Sequence, residues 1–202
     1  MDTATRREQL KEALISAAAR TIAEQGLSGL KARALADEAG CAVGAIYNVV
    51  ADLDELVLFA NSRTLAALDK ALTTATTQGK GPDWAIEQLV KLALAYLDFA
   101  AAHRRQWQAL FEHRLATGKS PPDWYQRDLE RLFGYIEQPV AALQPDASPA
   151  RRALLARSLF SAAHGLVALG LEEKLQFIPL PSLRDQVTTI VTALGYGLAG
   201  GE

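Results

Sequence analysis

The 202-residue sequence predicts an all-α protein, with an N-terminal three-helix helix-turn-helix domain followed by a larger helical domain. Three observations carry that prediction. No segment sustains the apolar and polar alternation of a half-buried strand, whereas apolar residues recur every three or four positions through most of the chain. Between Leu30 and Leu58 two short amphipathic stretches flank Gly40, which suits the left-handed backbone that a sharp helix end needs. Composition, at 50% hydrophobic and 22% charged residues, is that of a folded globular chain long enough to bury a sizeable core.

Taken in order, Arg6 to Gln25 places Leu10, Leu14, Ala17, Ala18, Thr21 and Ile22 on one stripe, and Gly26 closes it. The second helix is expected over Lys31–Ala39, with Leu35, Ala36 and Ala39 on its inner face. The third runs over Val43–Val49, where Val43, Ile46 and Tyr47 put apolar groups inward and Gly44 leaves the outer face nearly bare. Asp52 is an N-cap ahead of Leu53, with Glu55 in the first turn of a longer helix that continues to about Thr76. We therefore divide the chain into 1–52, the helix-turn-helix domain, and 53–202, the helical body, although the helix from Leu53 belongs to both halves.

The Thr- and Gly-rich stretch TTATTQGKGPD reads as a loop. Helices are then expected over Trp84–Ala102, His103–Leu115 and Asp123–Leu143, the last kinked or shortened by Pro139. Ser148 and Pro149 form an N-cap and first-position pair opening another helix. That helix has two apolar stripes, Leu155/Leu159/Ala162/Leu166/Leu169 and Phe160/His164/Val167/Leu171, and a final helix spans about Ser182 to Leu198. A two-striped helix needs two partners. A four-helix bundle formed by two copies through their last two helices meets that need, with Gly165 and Gly170 permitting close approach; a helix central to one large domain meets it too.

Several function classes lose their support at this level. A single cysteine, Cys41, leaves no internal disulfide or cysteine metal cluster, which fits a reducing cytoplasm. The histidines His103, His113 and His164 have no spacing that puts two on one helical turn, so no metal site is expected. Gly195-Tyr196-Gly197-Leu198-Ala199-Gly200 spells a dinucleotide fingerprint but belongs to a helix terminus with no following strand. No paired carboxylate or nucleophile pattern stands out, so neither catalysis nor a cofactor is expected. The most apolar run, Leu89 to Ala102, carries Lys91 and Asp98 and is too short for a bilayer, so no membrane partner is expected. The N-terminus, charged throughout, is not a signal peptide.

The segment AGCAVGAIYNVVADLDEL resembles the DNA-binding signature of TetR-type transcriptional regulators, which usually reads Ala-Gly-Val-Ser-x-Gly-x-Leu-Tyr-x-His-Phe, two linker residues, then Lys-Glu-x-Leu. Ala39, Gly40, Gly44, Tyr47 and Leu56 match, and Ile46 and Asp54 are close substitutes. Ala42 stands where Ser is usual, Val49-Val50 where His-Phe is usual, and Leu53 where Lys is usual. The stretch LFSAAHGLVAL is also similar to a Trp-His-Gly motif in one C-terminal domain of these regulators, with Phe160 in the Trp position.

The resemblance implies a homodimer, most simply a repressor, that binds a palindromic double-stranded operator and leaves it when a small apolar or aromatic effector binds the body. Lys31, Arg33, Ala42, Val43, Gly44, Ala45, Tyr47 and Asn48 are the expected DNA contacts: cations and Tyr47 for phosphate, Asn48 for adenine, small side chains for thymine methyl or close approach. Tyr96, Phe99, His103, Trp107, Phe111, Tyr125, Phe133, Phe160 and His164 are the expected effector contacts, an aromatic lining with a few polar groups. Charge runs the other way. The first 62 residues hold six cations against nine acids, unhelpful for a polyanion, so a helical ligand- or partner-binding protein with weak or lost DNA affinity is the alternative.

Overall fold

The computed structural model describes residues 2–115, 118–172 and 178–200, and among them every regular element is helical. Contacts gather into two compact units: residues 1–67 with 103–128, and residues 68–102 with 129–202. The expected division at 52/53 follows role; the compact units cut the chain elsewhere, because the first 15 residues of the fourth helix and the whole of segment 103–128 pack with the N-terminal helices.

In the first unit, α1 (Thr3–Gln25) contributes Leu14, Ile15, Ala17, Ala18 and Ile22 to a core completed by Leu35 and Ala36 of α2 (Ala32–Glu38) and Ile46 of α3 (Val43–Ile46). A 3-10 turn, Leu27–Gly29, joins α1 to α2. Gly40 takes φ of +66°, the left-handed conformation expected of it, and thereby folds α3 back beside α2.

The third helix departs from expectation in two ways. It is helical only to Ile46; Tyr47 caps it, and the chain continues in tightened turns through Val49 N–H to Ile46 C=O at 3.0 Å. Val43 and Tyr47, expected inward, are 40% and 51% exposed. The physical reason is that Val49 and Val50, 8% and 3% exposed, supply the inward apolar groups instead, closing the core against Leu56 and Ala60 of α4 (Leu53–Ala75). Asp52 caps α4 as expected, its Oδ1 accepting from the Glu55 N–H at 2.8 Å, while the Glu55 carboxylate accepts from the Ala51 N–H at 2.6 Å.

Helix α6 (Arg104–Glu112) packs on α1 and places Ala109 in the same core. The first turn of α7 (Asp123–Leu143) adds a ring stack: Trp124 lies parallel to Phe59 with centroids 4.7 Å apart, and the Lys11 ammonium sits 4.0 Å over the other ring of that pair, Phe59. The bounds of α7 are those expected, and Pro139 does not shorten it: the helix continues through that residue to Leu143. The bond that proline removes falls near the helix end, where few later turns depend on it.

In the second unit, α5 (Gly81–Ala102) packs against α9 (Leu180–Gly200), and α8 (Pro149–Glu172) packs against both. Side chains press on bare glycine backbone at Gly195, where a Cβ would lie 2.9 Å from the Ile86 side chain, and at Gly170, where it would lie 2.6 Å from the Leu183 side chain. The dinucleotide-like spelling is thus helix, with its first glycine spent on packing. The buried stripe of α8 is Ala156, Leu159, Ala163, Val167 and Gly170, which runs between the two stripes read from the large residues. Small residues form the seam because they let helix axes approach. Ser148 caps α8 as expected, accepting from the Arg151 N–H at 3.3 Å.

Candidate nucleic-acid interface and effector site

The outer surface of the helix-turn-helix follows from how α2 and α3 divide their faces. Leu35, Ala36 and Ile46 are at most 1% exposed and anchor both helices to the first unit's core. What remains outside is Lys31, Arg33, Ala42, Val43, Gly44, Tyr47 and Asn48, all exposed, with Ala45 half-buried at the edge. All eight expected DNA contacts therefore lie in one short stretch of sequence that the core leaves uncovered. Among the described residues, the side chains of Lys31, Arg33, Tyr47 and Asn48 make no hydrogen bond or ion pair within the protein. The Gly44 Cα has nothing within 4 Å of where a Cβ would stand, so an approaching surface could come close to backbone there.

Charge on this unit differs from what the first 62 residues suggest. Segment 103–128 brings Arg104, Arg105, Arg114, Lys119 and Arg127 into it, so the unit carries twelve Lys and Arg against twelve Asp and Glu. Several of the acids are also paired, Asp54 with Lys119 at 3.9 Å among them. Glu38 accepts from Arg20 Nε at 3.0 Å, Glu12 pairs with Arg63, and Asp52 pairs with Lys119. The Lys119 ammonium, followed by the Glu55 backbone N–H, holds the Asp52 carboxyl below the usual carboxylate range. No pattern in the sequence joins Lys119 to Asp52; that pairing depends on the fold alone.

The nine expected effector residues divide between the two units. His103, Trp107, Phe111 and Tyr125 belong to the first: His103 is exposed at the start of α6, Trp107 is 2% and Phe111 43% exposed, and their rings meet edge-on at 5.6 Å. Tyr125 is buried, which pushes its phenol above the usual range. Tyr96, Phe99, Phe133, Phe160 and His164 belong to the second unit.

Four of those five form one cluster. The Tyr96 hydroxyl and His164 Nδ1 are 2.8 Å apart; Phe160 meets Tyr96 edge-on at 5.6 Å, Phe133 edge-on at 5.5 Å, and stacks on His164 at 5.5 Å. The Arg157 guanidinium lies 5.3 Å over Phe133. Burial pushes the His164 imidazole below its ordinary pKa, with Glu172 opposing, so neutral imidazole in hydrogen-bond contact with a phenol is the resting form. The cluster is aromatic apart from one polar pair, the Tyr96 hydroxyl and His164 Nδ1. Among the described residues, no group of three or more His, Cys, Asp or Glu could hold a metal.

The profile for bacterial regulatory proteins of the tetR family matches residues 14–49, and that for the tetracyclin repressor-like C-terminal domain matches residues 89–194. The HTH-type transcriptional regulator Rv1816 of Mycobacterium tuberculosis is 24% identical over 136 residues, which span 67% of this chain and 58% of that protein. A Rhodococcus sp. RHA1 protein of unknown function shares the fold at a TM-score of 0.72 and 25% identity, over 94% of this chain and 95% of its own. A TetR-like transcriptional regulator from the same organism aligns over the whole of both chains at a TM-score of 0.59 and 20% identity. RolR in complex with resorcinol aligns over 98% of this chain and 97% of its own at a TM-score of 0.65 and 16% identity. With its helix-turn-helix and most of its helical body both matched, this chain belongs to the TetR family of transcriptional regulators.

Proposed function

We propose that this protein is a DNA-binding transcriptional regulator, most simply a repressor, which acts as a homodimer and leaves a palindromic operator when a small aromatic or apolar ligand binds its second unit. The observation that carries the reading is the bare outer face of α3, flanked by Lys31, Arg33 and the exposed Tyr47. Cations and the Tyr47 hydroxyl supply phosphate contacts, and the side chains of α3 face the major groove.

Two copies would meet through α8 and α9. Leu154 and Leu169 on α8, and Ile190 and Leu194 on α9, are 54%, 46%, 40% and 37% exposed, apolar groups that a second copy would cover. By length and composition α8 could also cross a bilayer, but it lies within the stretch matched by the C-terminal domain profile and carries Arg151, Arg152 and Arg157. A cytoplasmic protein with a dimer face accounts for both features.

The Tyr96 and His164 pair within its aromatic cluster supports the ligand class. A neighbour of the same fold holds resorcinol, a small aromatic diol. Such a ligand weakens DNA binding only to the extent that it binds one conformation of the dimer better than the other. Gel shift with the DNA flanking the protein's own gene tests the reading. A salt-sensitive, sequence-preferring complex is expected, weakened by K31A, R33A and Y47A. The first unit's absence of net positive charge favours the alternative of a helical ligand-binding protein without DNA affinity. A biological role untouched by those three substitutions would decide for it.

A further inference from the structure

We propose that Val43 reads the 5-methyl group of a thymine and is the side chain of α3 that sets sequence preference; this rests on α3 being the DNA-reading helix. Val43 opens α3 at 40% exposure, while the inward positions are filled by Ile46, Val49 and Val50. The core therefore makes little use of it. A β-branched residue is also a poor choice for a four-residue helix, since its side chain loses rotamer freedom there.

The neighbouring side chains narrow what this face can recognise. Ala42 and Gly44 are exposed on either side, and Gly44 opens onto free space. None of the three carries a hydrogen-bonding side chain. In the major groove every base edge is distinguished by donors and acceptors except for one apolar feature, the thymine methyl. An isopropyl group raised between two small neighbours discriminates by covering that methyl, and Asn48, two residues past the end of α3, is left as a hydrogen-bonding reader.

The experiment begins by selecting duplexes from a randomised pool with the full-length protein at low ionic strength. Each thymine of the selected half-site is then replaced by deoxyuridine, which removes only the methyl. One thymine per half-site is expected to lose about fourfold in affinity on replacement, the worth of roughly one buried methyl. In V43A and V43S that loss is expected to vanish while the salt dependence of binding stays unchanged, because no phosphate contact has been removed. V43T, which keeps the side-chain volume, controls for any change in packing and is expected to keep the fold. If no thymine matters to the wild type, or if the V43A variant loses as much as wild type, the inference is overturned and the DNA interface stands. If the pool yields no preferred sequence, the interface itself is overturned, and this inference falls with it.

Discussion

Two surfaces of this molecule are left uncovered by its own core, and they differ in kind. On and beside α2 and α3 the exposed residues are mostly small or charged, Ala34, Ala42, Gly44, Lys31, Arg33, Asp37 and Glu38, with a single large aliphatic side chain, Val43, one amide, Asn48, and one phenol, Tyr47. On α8 and α9 they include four large aliphatics, Leu154, Leu169, Ile190 and Leu194, beside charged residues such as Arg157 and Asp185. Small side chains let a rigid, hydrated, charged partner come close to backbone, where donors count. Large aliphatics exclude water against a like surface, where buried area counts. The contrast teaches that exposure alone does not name a partner; side-chain size and the company of charge do.

The comparison can be broken most forcefully on the apolar side. I190D with L194D is expected to convert a dimer to a monomer, weakening self-association by more than about 100-fold, because two carboxylates would be buried unpaired. Sedimentation measures this, and DNA affinity should fall with it. Next in size is G40V. A β-branched residue held at φ of +66° costs about 1–3 kcal/mol, so thermal unfolding of the first unit should move down and DNA binding should weaken without any contact residue having changed. On the charged side, K31A combined with R33A is expected to lower the slope of log affinity against log salt by about two, one for each phosphate lost. Dimerisation should be untouched.

Smaller effects follow from protonation. Asp52 has a folded-state pKa below its ordinary 3.8, so the stabilisation it provides to the start of α4 is present above that value and lost as pH falls through the folded-state pKa. Melting of wild type and D52N should therefore differ at neutral pH and converge in acid. His164 is shifted the same way with the opposite charge change. As pH falls below 6.5 the unfolded chain takes up a proton that the folded chain resists, so the second unit should lose stability there, and H164Q should flatten that loss.

Local features were legible in the sequence because each depends on one or two neighbours. Gly40 had to turn the chain, and Asp52 and Ser148 had to cap. Long-range features were not legible. Periodicity on α6 and α7 reports that Trp107, Tyr125 and Phe133 are partly or wholly buried, but not which core they join, and the structure sends the first two to one unit and the third to the other. Charge was misjudged for the same reason, since the cations of 103–128 reach the DNA-binding unit only through folding. The early end of α3 was hidden because Val49 and Val50 fit a helical stripe as well as they fit a tight turn.

The claim on which the account turns is that the face of α3 meets DNA although its unit has no net positive charge. Hydrogen exchange of the full-length protein with and without a selected duplex tests it directly. Slowed exchange confined to peptides within residues 31–50 is the expected result, and protection that appears elsewhere while those residues exchange unchanged would contradict it.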